Sequence, residues 1–139
     1  MFVLDTSVTM AWCFRDEATP FTKMVFGLLA ADGLIVPGIW PYEVGNTLLM
    51  GERRGRLTEA DSASFIQAIL SFPIAVDDQP MAATMPRVVT LGRQLGLTAY
   101  DASYLDLAIR RRLPLATQDA RLRDAAARVG VDLIQATDD

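Results

Sequence analysis

The 139-residue sequence predicts an α/β fold with a parallel central sheet, and three observations predict it. Short apolar runs of three or four residues recur along the chain. Between them lie longer segments whose apolar residues repeat with the helical period. Pro, Gly, Thr and Asp stand at the junctions, so strands and helices alternate in the order that builds parallel sheets.

Phe2 to Leu4 is the first strand, followed by a short helix, Ser7 to Phe14, launched from the turn Asp5-Thr6-Ser7. Thr19 and Pro20 are paired helix-start signals; the helix they open has Phe21, Val25, Phe26, Leu28 and Leu29 on its apolar face and stops near Asp32-Gly33. Leu34 to Val36 is the second strand. Pro41 starts the next helix, which runs toward Gly51 and holds Glu43 in its first turn. Thr58 with Asp61 forms a capping box for a helix through about Leu70. Pro73 to Val76 is the third strand, and Pro80 and Gly96 bracket a helix with Met85, Val88, Val89, Leu91 and Leu95 toward the core. Thr98 and Asp101 suggest a second capping box, opening a helix through about Arg112. Pro114 to Ala116 is the fourth strand, Gln118 or Asp119 caps a helix from Ala120 to Val129, and Val131 to Ile134 is a short last strand. The length suits one domain, residues 1–139, with a loose tail at 135–139.

Composition narrows the chemistry. The chain has no histidine and one cysteine, Cys13. Ser-His-Asp and Cys-His nucleophile pairs, an internal disulfide and zinc sites of several Cys or His ligands are therefore excluded by count. No apolar stretch approaches the roughly 20 residues of a membrane span, and the N-terminus enters a strand at once without a basic leader; a cytoplasmic protein without membrane contact is expected. The net charge is −4, with seventeen acids against thirteen bases. Two bound divalent cations would bring it to zero, and all but one of the bases are Arg, the better phosphate ligand. Net charge alone does not exclude a nucleic-acid substrate.

Four separated acids, Asp5, Glu43, Asp101 and Asp119, each stand where an apolar strand ends or a helix begins. Each has an ordinary explanation: Asp5 and Asp119 as helix caps, Glu43 as a favourable charge in a first helical turn, Asp101 as part of a capping box. Asp5 is the strongest functional candidate, because a charge directly after three buried apolar residues is costly unless paired, and Thr6 or Ser7 can cap instead. Helix starts that follow strand C-terminal ends face one edge of a parallel sheet, where sites are built. Carboxylates crowded there repel by roughly 4 kcal/mol per pair at 4 Å and an effective dielectric near 20. A hard cation, Mg²⁺ or Mn²⁺, is the compensation this inventory favours, and such an ion activates water and stabilises a reacting phosphodiester. Thr6, Ser7, Asn46 and Thr117 are placed to orient carboxylates. Asp16, Glu17, Asp77, Asp78, Asp138 and Asp139 are expected to be solvated. Asp106 is turned about 140° from Asp101 on its helix and should not share the cleft. Asp124 is at most a weak outer-shell candidate.

Asp5-Thr6-Ser7 after an N-terminal strand, Glu43 with Asn46, Asp101 within Thr-Ala-Tyr-Asp-Ala, and Thr117-Gln118-Asp119 resemble the PIN-domain pattern across nearly the whole chain. In length the chain most resembles the VapC-type toxins of prokaryotic toxin-antitoxin pairs. The resemblance implies a three-layer α/β/α sandwich with a central parallel sheet. It further implies Mg²⁺- or Mn²⁺-dependent endonucleolytic cleavage of RNA, a homodimer, and inhibition by a small antitoxin protein. Asp5, Glu43, Asp101 and Asp119 would then be the catalytic, metal-binding quartet, with Ser7, Asn46 and Thr117 in support.

Arg53, Arg54 and Arg56, and Arg110, Arg111 and Arg112, are the basic clusters offered for RNA contact, although cations at helix C-termini are favourable in themselves. Trp12, Phe14 and Trp40 are more suited to packing than to base stacking. The residues Phe21 to Leu29 and Leu48 to Met50 have apolar side chains to spare for a dimer or antitoxin surface. Two other functions compete. A PIN-like module that binds RNA or protein without cutting is compatible with the same residues. A receiver-type phosphoacceptor domain needs a late lysine, and the one lysine is Lys23. A haloacid-dehalogenase-type phosphatase fits poorly, since Ser7 stands where a second Asp is required.

Overall fold

The computed structural model describes residues 1–135; all of the expected tail at 135–139 except Gln135, with Asp138 and Asp139, lies outside the described residues. Four parallel strands, β1 (Phe2–Leu4), β2 (Leu34–Val36), β3 (Ile74–Val76) and β4 (Leu115–Ala116), lie in the order β3-β2-β1-β4. The register pairs Val3 with Ile35 on one side and with Leu115 on the other. Among the described residues seven α-helices surround the sheet: α1 (Thr6–Cys13), α2 (Pro20–Asp32), α3 (Trp40–Arg53), α4 (Glu59–Leu70), α5 (Met81–Leu95), α6 (Ala99–Arg111) and α7 (Ala120–Arg128). Between α1 and α2 runs a 3-10 turn, Arg15–Glu17.

The topology follows from handedness. From β1 to β2 to β3 the chain steps outward in one direction, then returns past β1 to place β4 on its far side. Right-handed crossovers put the first connections on one face and the returning α5–α6 connection on the other. The packing agrees, with α1 against α2 and α3, and α6 against α5, α7 and β1. The step reverses between β1 and β4, so the crevice at the carboxyl ends of those strands is the topological switch point.

The core is the sheet and what lies against it: Phe2, Val3, Leu4, Leu34, Ile35, Val36, Leu115 and Ala116 are buried with Val8, Leu29, Leu105, Leu107 and Leu122. Buried polar groups are paired within it. Trp40 donates from Nε1 to Thr9 Oγ1 at 3.1 Å, and Trp12 donates to the Thr22 carbonyl at 2.7 Å. Phe14 and Trp40 are buried and Trp12 packs against the core, so all three serve packing. No helix among the described residues is long and apolar enough to cross a membrane.

The helix-start signals match the structure closely. Thr19 and Thr58 head complete capping boxes, with Thr22 and Asp61 as the reciprocal partners. Three expectations need correction. Val131–Ile134 forms no strand and contributes one isolated bridge, Leu133 to Leu115, closed by the Leu115 N–H to the Asp132 carbonyl and the Ile134 N–H to the Leu115 carbonyl. On α5, Val88 is buried while Met85 and Val89 are exposed. The inward stripe of that helix runs through Val88 and Gly92, and Met85 and Val89, four apart, lie together on the next face. Asp77 is not solvated; its side chain is 6% exposed and bridges Arg110 at 2.5 Å. It stands at the end of β3, where its N–H donates to the Val36 carbonyl and α6 covers it.

Candidate functional site

Asp5 follows β1 at the switch point. It occupies the N-cap position of α1 yet makes no capping bond with its side chain. Its Oδ2 instead accepts two hydroxyl bonds, each 2.7 Å long, from Ser7 and from Thr117 across the β1–β4 crevice. Buried to 6% exposure, the carboxyl is pushed above its ordinary pKa, first by loss of solvent and further by the charge of Glu43, with the Thr117 and Ser7 hydroxyls opposing.

Thr117 is a hub. Its hydroxyl donates to Asp5 and accepts from the Asp119 N–H at 3.0 Å, so one buried side chain at the end of β4 ties two of the acids together. Ser7 has a parallel role, donating to Asp5 and accepting from the Gln118 N–H. Asp119 caps α7 through Oδ1, which accepts from the Leu122 N–H at 3.0 Å. Its capping explanation therefore holds for one of its oxygens.

Glu43 lies in the first turn of α3 and faces a residue the sequence reading passed over. Tyr104, fully buried on α6, donates its hydroxyl to Glu43 Oε1 at 2.6 Å and lies 2.7 Å from Thr6 Oγ1; Thr6 itself is 3.2 Å from the same Glu43 oxygen. The tyrosine has one proton and spends it on the carboxylate, a short charge-assisted bond. Thr6 is then the donor to Tyr104. Burial and the bond to Glu43 drive the Tyr104 pKa up. The signal for Tyr104 was available: it lies three residues after Asp101, on the same side of the helix. Asn46, by contrast, is exposed and is not tied to Glu43, whose backbone carbonyl binds Thr47 instead.

Asp101 makes half of a capping box. Thr98 Oγ1 accepts its N–H at 3.1 Å, but the reciprocal bond that Asp61 makes to Thr58 has no counterpart, so the Asp101 carboxylate is not consumed by the cap. Its pKa is raised by burial, then by the charges of Asp119 and Asp5, and lowered by Thr98 and Arg121. Asp5 thus senses Glu43, and Asp101 senses both Asp119 and Asp5: the four acids share one sheet edge. Asp106 does not join them. It is buried on another face of α6, bound by Arg87 at 3.0 Å and Arg110 at 2.9 Å.

Among the described residues, no three Asp, Glu, Cys or His side chains stand close enough to grip a single ion. Coulomb coupling acts over several ångströms, whereas metal ligands must converge to about 2 Å from one point. The edge nevertheless fits a hard cation in its donors, which are carboxylate and hydroxyl oxygens throughout, and in its charge, which adds to burial in raising the Asp5 and Asp101 pKa values. Mg²⁺ keeps several waters and needs only one or two carboxylates.

The basic clusters separate. Arg110 is engaged by Asp77 and Asp106, and Arg111 lies 3.8 Å from Asp77. With Arg112, they sit at the far end of α6 from Asp101, about 15 Å away at 1.5 Å per residue. That group does not adjoin the acids. Arg54 and Arg56 line a groove of about 690 Å³ that reaches the site through Thr6, Ser7 and Gln118. Arg56 also bridges Asp16 and lies 4.0 Å over the Phe14 ring, and Arg53 ends α3 beside them.

A parallel sheet of order 3-2-1-4 with acids gathered at its switch point defines the class. The PIN domain family model matches residues 2–128, and the chain belongs to the PIN-domain family. Within it the similarity is to VapC proteins. The chain is 32% identical over 124 residues to Ribonuclease VapC9 of Mycobacterium tuberculosis, covering 89% of this chain and 90% of that one. It is 36% identical over 81 residues to Exonuclease VapC9 of Pyrobaculum aerophilum, covering 58% of each. Among solved structures, PAE2754 from Pyrobaculum aerophilum superposes with a TM-score of 0.70 at 26% identity, over 89% of this chain and 83% of that one. The fold is shared with VapBC2 from Rickettsia felis, solved with a DNA fragment from its promoter, at a TM-score of 0.68 and 15% identity over 96% of each chain.

Proposed function

We propose that this protein is an endoribonuclease that hydrolyses RNA phosphodiester bonds with the help of Mg²⁺ or Mn²⁺ held by the acidic edge. The observation that carries the reading is Asp5: a buried carboxylate at the switch point, fixed by Thr117 and Ser7 and burdened by the charge of Glu43. The similarity to proteins named ribonuclease points the same way. One or two of Asp5, Glu43, Asp101 and Asp119 would hold the ion directly, and the others would act on it through its bound waters. A bound ion of this kind makes water a competent nucleophile near neutral pH and neutralises charge on the phosphate.

The remaining work falls to the chain's own side chains. Thr117 and Ser7 fix the rotamer of Asp5; Tyr104, itself held by Thr6, fixes that of Glu43. With no histidine, any proton leaving the attacking water is accepted by a carboxylate of the edge or by solvent. Arg54 and Arg56 face RNA from the groove that opens at Ser7. A homodimer, and inhibition by an antitoxin protein, are proposed from the similarity to VapC proteins and to the fold of chains solved in toxin-antitoxin complexes. A module that binds RNA without cutting is the second reading, favoured by the spread of the carboxylates beyond a single ion's inner sphere.

The test uses purified protein freed of any partner and end-labelled RNA. Cleavage with Mg²⁺ or Mn²⁺, none in excess EDTA, and none by Asp5→Asn are expected. Equal cleavage in EDTA overturns the metal-dependent reading, and RNA binding without cleavage under any metal favours the silent module.

A further inference from the structure

The Arg56 guanidinium lies 4.0 Å above the Phe14 ring, and its Nη2 donates to both oxygens of Asp16, at 3.0 and 3.1 Å. The platform beneath it is fixed. Phe14 is buried and its ring packs on Gly51, where a Cβ would meet it at 3.1 Å, while the Gly51 carbonyl accepts the Arg56 N–H at 2.8 Å. One glycine thus seats both the ring and the backbone of the arginine above it.

The carboxylate that completes the arrangement is held less firmly. Asp16 belongs to a three-residue 3-10 turn, and its side chain is 75% exposed against 39% for Arg56. Both of its bonds come from one guanidinium nitrogen, so the two-nitrogen fork that binds carboxylate or phosphate best is not in use. An exposed pair of this kind changes an equilibrium by at most about fivefold. Nor does the loop depend on it, because the N–H groups of Arg56 and Leu57 both close onto the Gly51 carbonyl. The cation is built in, and its partner is replaceable.

Phe14, Asp16 and Arg56 line the groove of about 690 Å³ whose wall also includes Thr6, Ser7 and Gln118. Ser7 carries the bond to Asp5, so the groove leads from the acidic edge to the guanidinium. Arg54 lines it too and, among the described residues, makes no ion pair. The groove therefore holds one arginine that is free and one that is already occupied.

We propose that Arg56 on its Phe14 platform is a subsite for a phosphodiester of the substrate strand, and that Asp16 fills it as an internal stand-in until the strand arrives. The proposal rests on the ribonuclease reading of the acidic edge and adds to it a phosphate position away from the acids, with its own competitor. A phosphate delivered along the groove by a strand already engaged at the acids has a high effective concentration there. It takes the fork and releases Asp16 to solvent, whereas a free anion meets the carboxylate without that advantage.

The experiment is a double-mutant cycle read by fluorescence anisotropy with a short labelled RNA, in Ca²⁺ so that binding is measured without turnover, with cleavage scored separately in Mn²⁺. Asp16→Asn is expected to tighten binding about threefold. Arg56→Gln should weaken it and lower the slope of log affinity against log salt by about 0.7. The Asp16→Asn gain should vanish in the Arg56→Gln background and persist in Arg54→Gln. Side chains this exposed leave thermal unfolding near that of the wild type; should Arg56→Gln unfold early, Arg56→Lys, which keeps the charge without fork or stack, takes its place in the cycle and should also reduce the gain. An Asp16→Asn gain that survives in Arg56→Gln reports only the loss of one negative charge and overturns the proposal. Asp16→Asn binding no tighter than wild type overturns it too, leaving the pair as a brace for the loop. Competition by millimolar inorganic phosphate, beyond that of chloride at the same ionic strength, would reveal a free-anion site and overturn the assignment to the strand. Coupling between Asp16 and Arg56 toward RNA, without cleavage in Mn²⁺, would remove the nuclease reading while leaving the subsite in place.

Discussion

Replacing Asp5 by Asn is expected to inactivate the site and, in the absence of metal, to make the protein more stable. Ser7 and Thr117 both donate to Oδ2, and an amide oxygen in that place can accept both bonds. The substitution removes a buried charge that the surrounding side chains leave partly uncompensated, Glu43 making it worse. A buried polar group short of partners costs about 1–3 kcal/mol. Asp5→Asn should therefore gain about 2 kcal/mol, or about 6 °C in Tm for a chain of this length. The sign of the pH dependence follows from the raised pKa. The wild-type penalty is present at neutral pH, shrinks as pH falls through the folded-state pKa, and is gone below the unfolded value of 3.8. Calorimetry in EDTA from pH 7.5 down to pH 4 measures this gap directly. Adding Mn²⁺ at a hundred times its Kd should stabilise the wild type by about 2.7 kcal/mol and Asp5→Asn far less. A variant less stable than wild type in EDTA at pH 7.5, or a gap that persists unchanged at low pH, would refute the argument.

Tyr104→Phe keeps the ring in the core and removes the hydroxyl that holds Glu43; a roughly tenfold loss of Mn²⁺ affinity, read by titration calorimetry, is expected of a lost outer-shell partner, and unchanged affinity would show that Glu43 needs no holding. Arg110→Gln leaves Asp77 and Asp106 buried with one fewer cation and should lower stability by about 3 kcal/mol in urea unfolding, with RNA affinity of the folded protein unchanged; the reverse outcome would return Arg110 to the RNA surface. Gly92→Ala places a Cβ 2.9 Å from the Leu97 carbonyl oxygen at the tight passage from α5 to α6, and a loss of about 1–3 kcal/mol is expected from overpacking, measured in the same way.

Much of this architecture is legible without coordinates because its signals are local. Thr19-Pro20 and the Thr58/Asp61 box announce helices through bonds made within four residues; the Thr58/Asp61 box closes as expected, and Thr19 caps its helix in a box with Thr22. Strand ends at Leu4 and Ala116 are equally plain, since each apolar run stops at a polar residue. The errors arise where the deciding partner is distant. Asp77 reads as a loop acid until α6 brings Arg110 to it from thirty-three positions away. Met85 and Val89 read as core until the close approach of α5 to α6 fixes which stripe faces inward. Tyr104 reads as one more core residue until α1 and α3 bring Thr6 and Glu43 against its hydroxyl.

The sequence alone determined the inventory: four acids at element junctions, no histidine, one lysine, and elements in an order that demands a parallel sheet. These are matters of residue type and local bonding. Only the tertiary structure decided how each acid is used. The reversal of strand order between β1 and β4 sets Thr117 beside Asp5, the missing return bond releases Asp101 from its cap, and Asp119 remains half-engaged in capping α7. Carboxylate chemistry is written in single residues, but the solvation and mutual repulsion that tune it depend on distances between strands and helices far apart in the chain.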